Sequence, residues 1–329
     1  MNDLIFFFNQ ALIGGVVLGS VYALGAVGVT LIFGILRFAH FAHGDMMTMG
    51  AFITFILAGV LTALGIVTPI PTGVLVVPLA MMLAAGLALG IDKGFYAPLR
   101  ARGAKPVTLL IASIGVTMMI QGLIRLFFGV ETRSFFDTEP KQIFRIELPF
   151  EGVTRPITFT EPQVWLVAST AIAVIALHYF LTRSRLGKGM RAMADNPDLA
   201  KVSGINTKLV VRVTWVIAGA LAGTMLALDV TLKPDLAFNI VLPIFAAAIL
   251  GGLGHAYGAI AGGFVLGFAE TLAVFNWSVL LRPFRDVLWF DIPASLTLVQ
   301  SEYKLTVAFV ILVVVLLVRP TGIFRGAST

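Results

Sequence analysis

Apolar residues in this chain fall into nine long runs, at roughly 10 to 36, 46 to 64, 71 to 91, 107 to 129, 163 to 182, 209 to 230, 239 to 252, 257 to 275 and 303 to 319. About twenty apolar residues in a helix cross the hydrocarbon of a bilayer, and most of these runs approach that length. In lipid every backbone N–H and C=O must be satisfied within the structure, so a spanning chain is either a helix bundle or a closed barrel. Barrel strands read as segments of about ten residues with alternating polarity. A stretch such as 303 to 318 shows no such alternation. The expected fold is an all-α polytopic membrane protein of about nine transmembrane helices, eight to ten fitting the same runs. With 58% apolar and only 12% charged residues, the composition agrees.

The sparse charges orient the bundle. The loop at 92 to 106 holds Lys93, Arg100, Arg102 and Lys105 against one acid, and the segment 183 to 208 is also basic. Basic short loops stay in the cytoplasm, so both are placed there. The segment 130 to 162 carries six acids (Glu131, Asp137, Glu139, Glu147, Glu151, Glu161) against four bases, and its alternating IELPFEGVTRPITFT predicts a small hairpin on the outside. Counting crossings puts the N-terminus outside and the C-terminus, with Arg319 and Arg325, inside. Residues 276 to 302, with Trp277, Trp289 and Phe290, then form an outer, interfacial and partly helical connection. Asp3 is the one charge before Arg37, so no basic n-region of a cleavable signal is expected. The net charge of +6 lies in these loops and is a topology signal, not a nucleic-acid footprint. No extramembrane segment approaches the fifty residues of an independent domain, so residues 1–329 read as one transmembrane domain. The absence of cysteine excludes disulfides and thiolate sites while leaving the compartment open.

Between Arg183 and Lys208 lies TRSRLGKGMRAMADNPDLAKVSGINTK, in which Asn196 is a helix N-cap, Pro197 suits the first helical position and Gly204 suits a left-handed residue past the end. The predicted helix of about two turns is marginal alone and needs a surface to dock on, which points to a cytosolic partner. Elsewhere ILRFAHFAHGD (35 to 45) and GGLGHAYGA (251 to 259) interrupt apolar sequence, and broken helices at membrane depth occur only beside protein or a water-filled cavity. Glycines four apart (15/19, 86/90, 219/223, 258/262, 263/267) are expected to let helices pack closely.

FAHFAHGDMMTMGAF (38 to 52) resembles the NFAHGD-type stretch of LivH-type permeases of ABC importers for branched-chain amino acids, with Phe41, Ala42, His43, Gly44 and Asp45 in register. GKGMRAMADNPDLAKVSGIN is similar to the cytoplasmic loop of that family through Arg191, Ala192, Asn196, Ala200, Gly204, Ile205 and Asn206. AAAILGGLGHAYGAIAGGFVLGFAE and RPTGIFRG resemble its glycine-rich helix pair and C-terminal end. The likeness implies a permease subunit of the bacterial inner membrane that pairs with a second permease, two cytosolic ATP-binding subunits and a periplasmic binding protein. ATP and Mg would sit on those partners, with no cofactor, metal or nucleic acid on this chain. The loop 183 to 208, with Pro197 included, would transmit ATPase closure to the flanking spans. Two departures, His40 for the usual Asn and His255, Ala256, Tyr257 for a Ser–Pro loop, bear on cargo, because related permeases carry aromatic amino acids, urea or short amides.

On this reading Phe41, His43, Gly44, Asp45, Gly251, Gly252, Gly254 and Glu270 are candidate pathway residues. The 40 to 45 stretch fits either a half-helix that opens inside the membrane, its N–H groups toward a carboxylate or amide, or a helix end at the cytoplasmic face. Glu270 and Asp229 could take a cargo amino group or pair with Arg125 to hold helices together. His40, His43 and Asp45 have a spacing that could hold a metal, but an isolated trio without further ligands speaks against one. No HExxH, GxSxG or GxxxxGK[ST] occurs, so no zinc protease, serine hydrolase or in-chain ATPase is signalled. An ion-coupled carrier is the alternative, and it would be expected to place charges at mid-span rather than at span edges.

Overall fold

The computed structural model describes residues 1–66, 70–134, 141–150, 152–223, 231–285, 291, 293–319 and 321–323. Asp137, Glu139, Glu151, Asp229, Trp289, Phe290 and Arg325 lie outside the described residues. Eleven helices carry the architecture: α1 (Asn2–Leu36), α2 (His43–Ala63), α3 (Val77–Ala101), α4 (Pro106–Phe128), α5 (Glu161–Arg183), α6 (Arg185–Asp195), α7 (Pro197–Val202), α8 (Thr207–Gly223), α9 (Leu236–Gly251), α10 (Ala256–Val274) and α11 (Ser301–Val318). Among the described residues seven of them, α1 to α5, α10 and α11, are long and apolar enough to cross a membrane, while the apolar α9 is shorter. Each of the nine apolar runs overlaps a helix, the run 209 to 230 being described as far as Gly223. Strands β1 (Ile143–Ile146) and β2 (Ile157–Thr160) form the expected antiparallel hairpin, with Ile143 opposite Thr160 and Ile146 opposite Ile157.

The bundle is built around the crossing of α1 and α10, where glycines replace side chains with backbone contact. A Cβ on Gly263 would lie 2.4 Å from the Ala23 nitrogen, and one on Gly267 would lie 2.4 Å from the Gly19 nitrogen. Gly15 and Gly19 receive the rings of Phe268 and Phe264 in return. Gly219 does the same for α8 against Ala84 and Ala88 of α3. The pair Gly86 and Gly90 departs from the expectation, since nothing stands within 4 Å of a Cβ on either.

Charges segregate to opposite ends. At one end Asn2 Oδ1 accepts from the Thr154 and Arg155 N–H groups, Asn9 pairs with the Pro156 carbonyl and Thr158 N–H, and Phe7 meets Phe275 edge-on. The chain start, the hairpin and the 275 to 280 turn thus share that end. At the other end Arg37 donates to the Ala194 carbonyl, Gly254 lies against Gly34, and Ile323 N–H donates to the Leu250 carbonyl. The basic segments 92 to 106 and 183 to 208 meet there, where Arg100, Met193 and Lys208 line one cavity.

Three segments depart from the sequence reading. The supposed loop at 92 to 106 is helical as far as Ala101, continuing α3 through a π-turn at Asp92–Tyr96. Pro98 has no N–H for an ordinary helical bond, and the wider turn ahead of it re-registers the chain. Arg100 closes this segment on Asp92 at 2.7 Å. Helix α1 begins at Asn2 rather than near residue 10, its first turns being held by the hairpin. The island at 183 to 208 contains two helices rather than one.

Candidate functional site

The second helix of the island, α6, escaped sequence reading because Gly187 and Gly189 argue against a helix there. Ser184 caps it by accepting from Gly187 N–H at 2.8 Å, and a Cβ at Gly187 would stand 2.1 Å from the Phe180 carbonyl oxygen. The glycine therefore allows α6 to fold back tightly on the end of α5. Met190 and Met193 bury the apolar face of α6, while Arg191 is exposed and Ala192 half-buried. A cavity of about 270 Å³ lies beside this helix, lined by Thr30, Arg191, Asp195, His255 and Tyr257 among others.

Helix α7 follows the expected capping. Asn196 Oδ1 accepts from Leu199 N–H at 3.0 Å, Pro197 takes the first helical position, and Gly204 has φ +82°. Ile205 N–H returns to the Ala200 carbonyl at 3.1 Å, so the end of the rod is fastened over the buried Ala200. Asn206 caps the next helix by accepting from Leu209 N–H at 3.0 Å. With Ala200 turned inward, Leu199 and Val202 are left 61% and 80% exposed. Two apolar side chains thus face outward on a polar, basic end.

The break between α1 and α2 lies inside the bundle. Arg37, in the left-handed conformation at φ 56°, ends α1, and the chain then turns back along it. His43 fills the notch at Gly28, eight residues before Leu36 and so about 12 Å up the helix. Phe41 N–H donates to Ser113 Oγ at 3.2 Å, and Gln121 Nε2 donates to Asp45 Oδ1 at 3.0 Å. Those partners stand about 10 and 22 Å along α4 from Pro106. The stretch 40 to 45 is thus a helix start within the bundle, not an end at its basic face. Its first turn is covered: a Cβ at Gly44 would meet Val241 of α9 at 3.0 Å, and Phe41 stacks on Phe245 with ring centres 4.7 Å apart. The Asp45 carboxylate sits in that turn, where a negative charge suits the helix dipole.

His40 and His43 are both fully buried. His40 stands edge-on to Tyr96 and Trp215, with ring centres 5.3 and 5.0 Å away, and no imidazole nitrogen of either histidine has a partner among the described residues. With Asp45 bonded to Gln121, the trio His40, His43 and Asp45 does not converge on a metal position, and no group of three or more candidate ligands occurs among the described residues.

In the second glycine break, a Cβ at Gly251 would stand 2.1 Å from the Gly258 carbonyl, and Gly252 and Gly254 have φ +99° and +92°. These glycines permit the tight reversal between α9 and α10. Glu270 is fully buried between helices: Tyr22 Oη donates to Oε2 at 2.9 Å, and Lys304 Nζ lies 3.8 Å from the same oxygen. Of the partners the sequence offered Arg125, Glu270 is held by Tyr22 and Lys304 and Asp229 lies outside the described residues; Arg125 pairs with Asp235. Sequence reading also missed a polar stripe on α4, Ser113, Thr117, Gln121 and Arg125, although its spacing of four residues was visible.

An all-helical bundle with several apolar spans, two backbone breaks within it and a capped basic element at one end defines a polytopic membrane protein of transporter type. The family described as "Branched-chain amino acid transport system / permease component" matches residues 11–316, and the chain belongs to it. It is 32% identical to the high-affinity branched-chain amino acid transport system permease protein LivH of Escherichia coli K12, over 98% of this chain and 97% of that one. It is 31% identical to BraD of Pseudomonas aeruginosa, a permease protein with the same description, over 97% and 96% of the two chains. The ribose import permease protein RbsC of Escherichia coli K12 is 26% identical over 77% of this chain and 74% of its own. No solved structure matches the chain.

Proposed function

We propose that this chain is a membrane-spanning permease subunit of an ATP-driven importer for branched-chain or related amino acids. It crosses the bacterial inner membrane nine times, with its N-terminus in the periplasm and its C-terminus in the cytosol. It works beside a second, homologous permease, above two cytosolic ATP-binding subunits and beneath a periplasmic binding protein. ATP and Mg belong to the ATP-binding subunits, and this chain hydrolyses nothing itself. The segregation of charge supports this orientation: the basic loops share one end and the hairpin with the chain start shares the other.

The observation that carries the reading is α7. A six-residue helix capped at both ends, seated by Ala200 and presenting Leu199 and Val202 outward, serves a partner surface better than it serves this subunit. Closure of the ATP-binding subunits moves α6 and α7 together, and α5 and α8, attached to them directly, rock the pathway from outward to inward. Residues Arg191, Ala192, Asn196, Pro197, Ala200, Gly204, Ile205 and Asn206 form this transmitting element. Phe41 and Asp45 stand at the α2 break beside the pathway. His43, Gly44, Gly251, Gly252 and Gly254 shape the breaks, and Glu270 holds α1, α10 and α11 in register.

Reversing the charge of the element, Arg191→Glu with Lys201→Glu, tests the reading. The protein is expected in the membrane at normal level, with cargo-stimulated ATP hydrolysis by the complex abolished. Stimulation that persists would refute the role given to α6 and α7.

A further inference from the structure

Helix α4 carries Ser113, Thr117, Gln121 and Arg125 at intervals of four residues, which places them on one slowly drifting stripe. Each step of four advances about 40° around a helix of 3.6 residues per turn, so the stripe leaves the bundle gradually. Ser113 is fully buried, Thr117 and Gln121 are half-buried, and the Arg125 side chain is 44% exposed. The stripe follows the α2 break: Ser113 holds the Phe41 N–H, Gln121 holds Asp45, and one turn further out Arg125 pairs with Asp235 just ahead of α9. Ile111 and Met118, 62% and 71% exposed, lie roughly 100–160° around the helix from Ser113 and Thr117, on the side that Arg125 reaches only at the outer end. That side suits lipid; the inner stripe, where Gln121 holds the Asp45 carboxylate, does not, because carboxylate and amide groups facing hydrocarbon are costly and are found where a span lines water or protein, and Arg125 emerges only in the last turn, at the edge of the span.

We infer that the Thr117–Gln121–Arg125 stripe, with Asp45 and Asp235, lines the water-filled solute path, and that Arg125 and Asp235 at its outer mouth bind the zwitterionic head of an amino acid. The inference rests on the importer reading and adds to it the residues and the chemistry of recognition. The guanidinium offers paired donors to the solute carboxylate, and the Asp235 carboxylate, 67% exposed at its side chain, offers acceptors to the ammonium. In the absence of solute the two satisfy each other, and a zwitterion exchanges that one ion pair for two. The Gln121–Asp45 pair, one turn below, is the next polar station inward.

The chain contains no cysteine, so single cysteines report cleanly. In cells carrying the complete importer, Thr117→Cys and Gln121→Cys are expected to react with the membrane-impermeant thiol reagent MTSET about tenfold or more faster than Ile111→Cys and Met118→Cys, which face lipid. Arg125→Gln and Asp235→Asn are each expected to lower leucine uptake about tenfold or more at unchanged membrane level, the loss anticipated for a charge-assisted contact. Equal reactivity of the four cysteines overturns the inference. So does uptake restored by combining Arg125→Gln with Asp235→Asn, which would mark the pair as a tether between helices. A wild-type complex that takes up no amino acid would instead defeat the importer reading, so the two failures are distinct.

Discussion

Replacing Gly267 by alanine adds one methyl group at the crossing of α1 and α10, and the geometry says how much that methyl costs. Its carbon would lie 2.4 Å from the Gly19 nitrogen, 2.5 Å from the Gly19 Cα and 3.0 Å from the Gly15 carbonyl oxygen. Carbon atoms rest about 3.5–4.0 Å apart, so the two helices must separate by about 1 Å. Every obstructing atom is backbone, so no side chain can rotate away. Overpacking in a well-filled core costs about 1–3 kcal/mol, and rigid helices on both sides place this case near 3 kcal/mol, about a hundredfold in the unfolding equilibrium. For a chain of this size that corresponds to a melting point lower by about 6–12 °C. Gly86→Ala is the matched control: the same methyl on a spanning helix meets nothing within 4 Å. Its effect is confined to helix propensity, at most about 1 kcal/mol in its favour. Thermal unfolding in detergent, followed by tryptophan fluorescence for the three proteins side by side, measures the difference. A Gly267→Ala protein that melts within about 2 °C of wild type, or a Gly86→Ala protein that falls equally far, would refute the reasoning.

Two further outcomes follow from contacts already described. Asn196→Ala removes the acceptor for Leu199 N–H and costs about 1 kcal/mol, so amide exchange across 197 to 202 should quicken about fivefold while exchange in the spans is unchanged. Tyr22→Phe takes the 2.9 Å donor from a buried carboxylate and should destabilise by about 1.5–3 kcal/mol, whereas Glu270→Gln keeps an acceptor for that hydroxyl, removes a buried charge and should cost less. Melting points of the two variants give the order; the reverse order would mean that the partly exposed Lys304 dominates the site. Unchanged transport affinity in Glu270→Gln would leave that residue a structural role only.

Local features were the legible ones. Apolar length located α1 to α5 and α8 to α11, alternation located the hairpin, and the Asn196, Pro197 and Gly204 triplet announced α7, because each depends on neighbours within a few residues. Misreadings arose where tertiary contact overrides local preference. Glycines at 187 and 189 look like loop residues until Phe180 is seen pressed against one of them. Four basic residues in fifteen look like a loop until the helix is found running past Lys93 and Arg100 to Ala101. The depth of the 40 to 45 break could not be read locally, since it is set by Gly28, Ser113 and Gln121, and the partner of Arg125 lies more than a hundred residues away at Asp235.

The first helix has one further consequence. At 35 residues it measures about 52 Å, and its close crossing with α10, from Gly15 to Ala23, is centred on Gly19, seventeen residues from either end. One tip is tied to the hairpin through Asn2, and the other, through Arg37, to the carbonyl of Ala194 in the basic island. A stiff beam pinned at its midpoint works as a balanced seesaw with arms of about 25 Å. On the proposed coupling, a sideways swing of α6 would reappear, in the opposite sense, beneath the hairpin at the far end of the bundle.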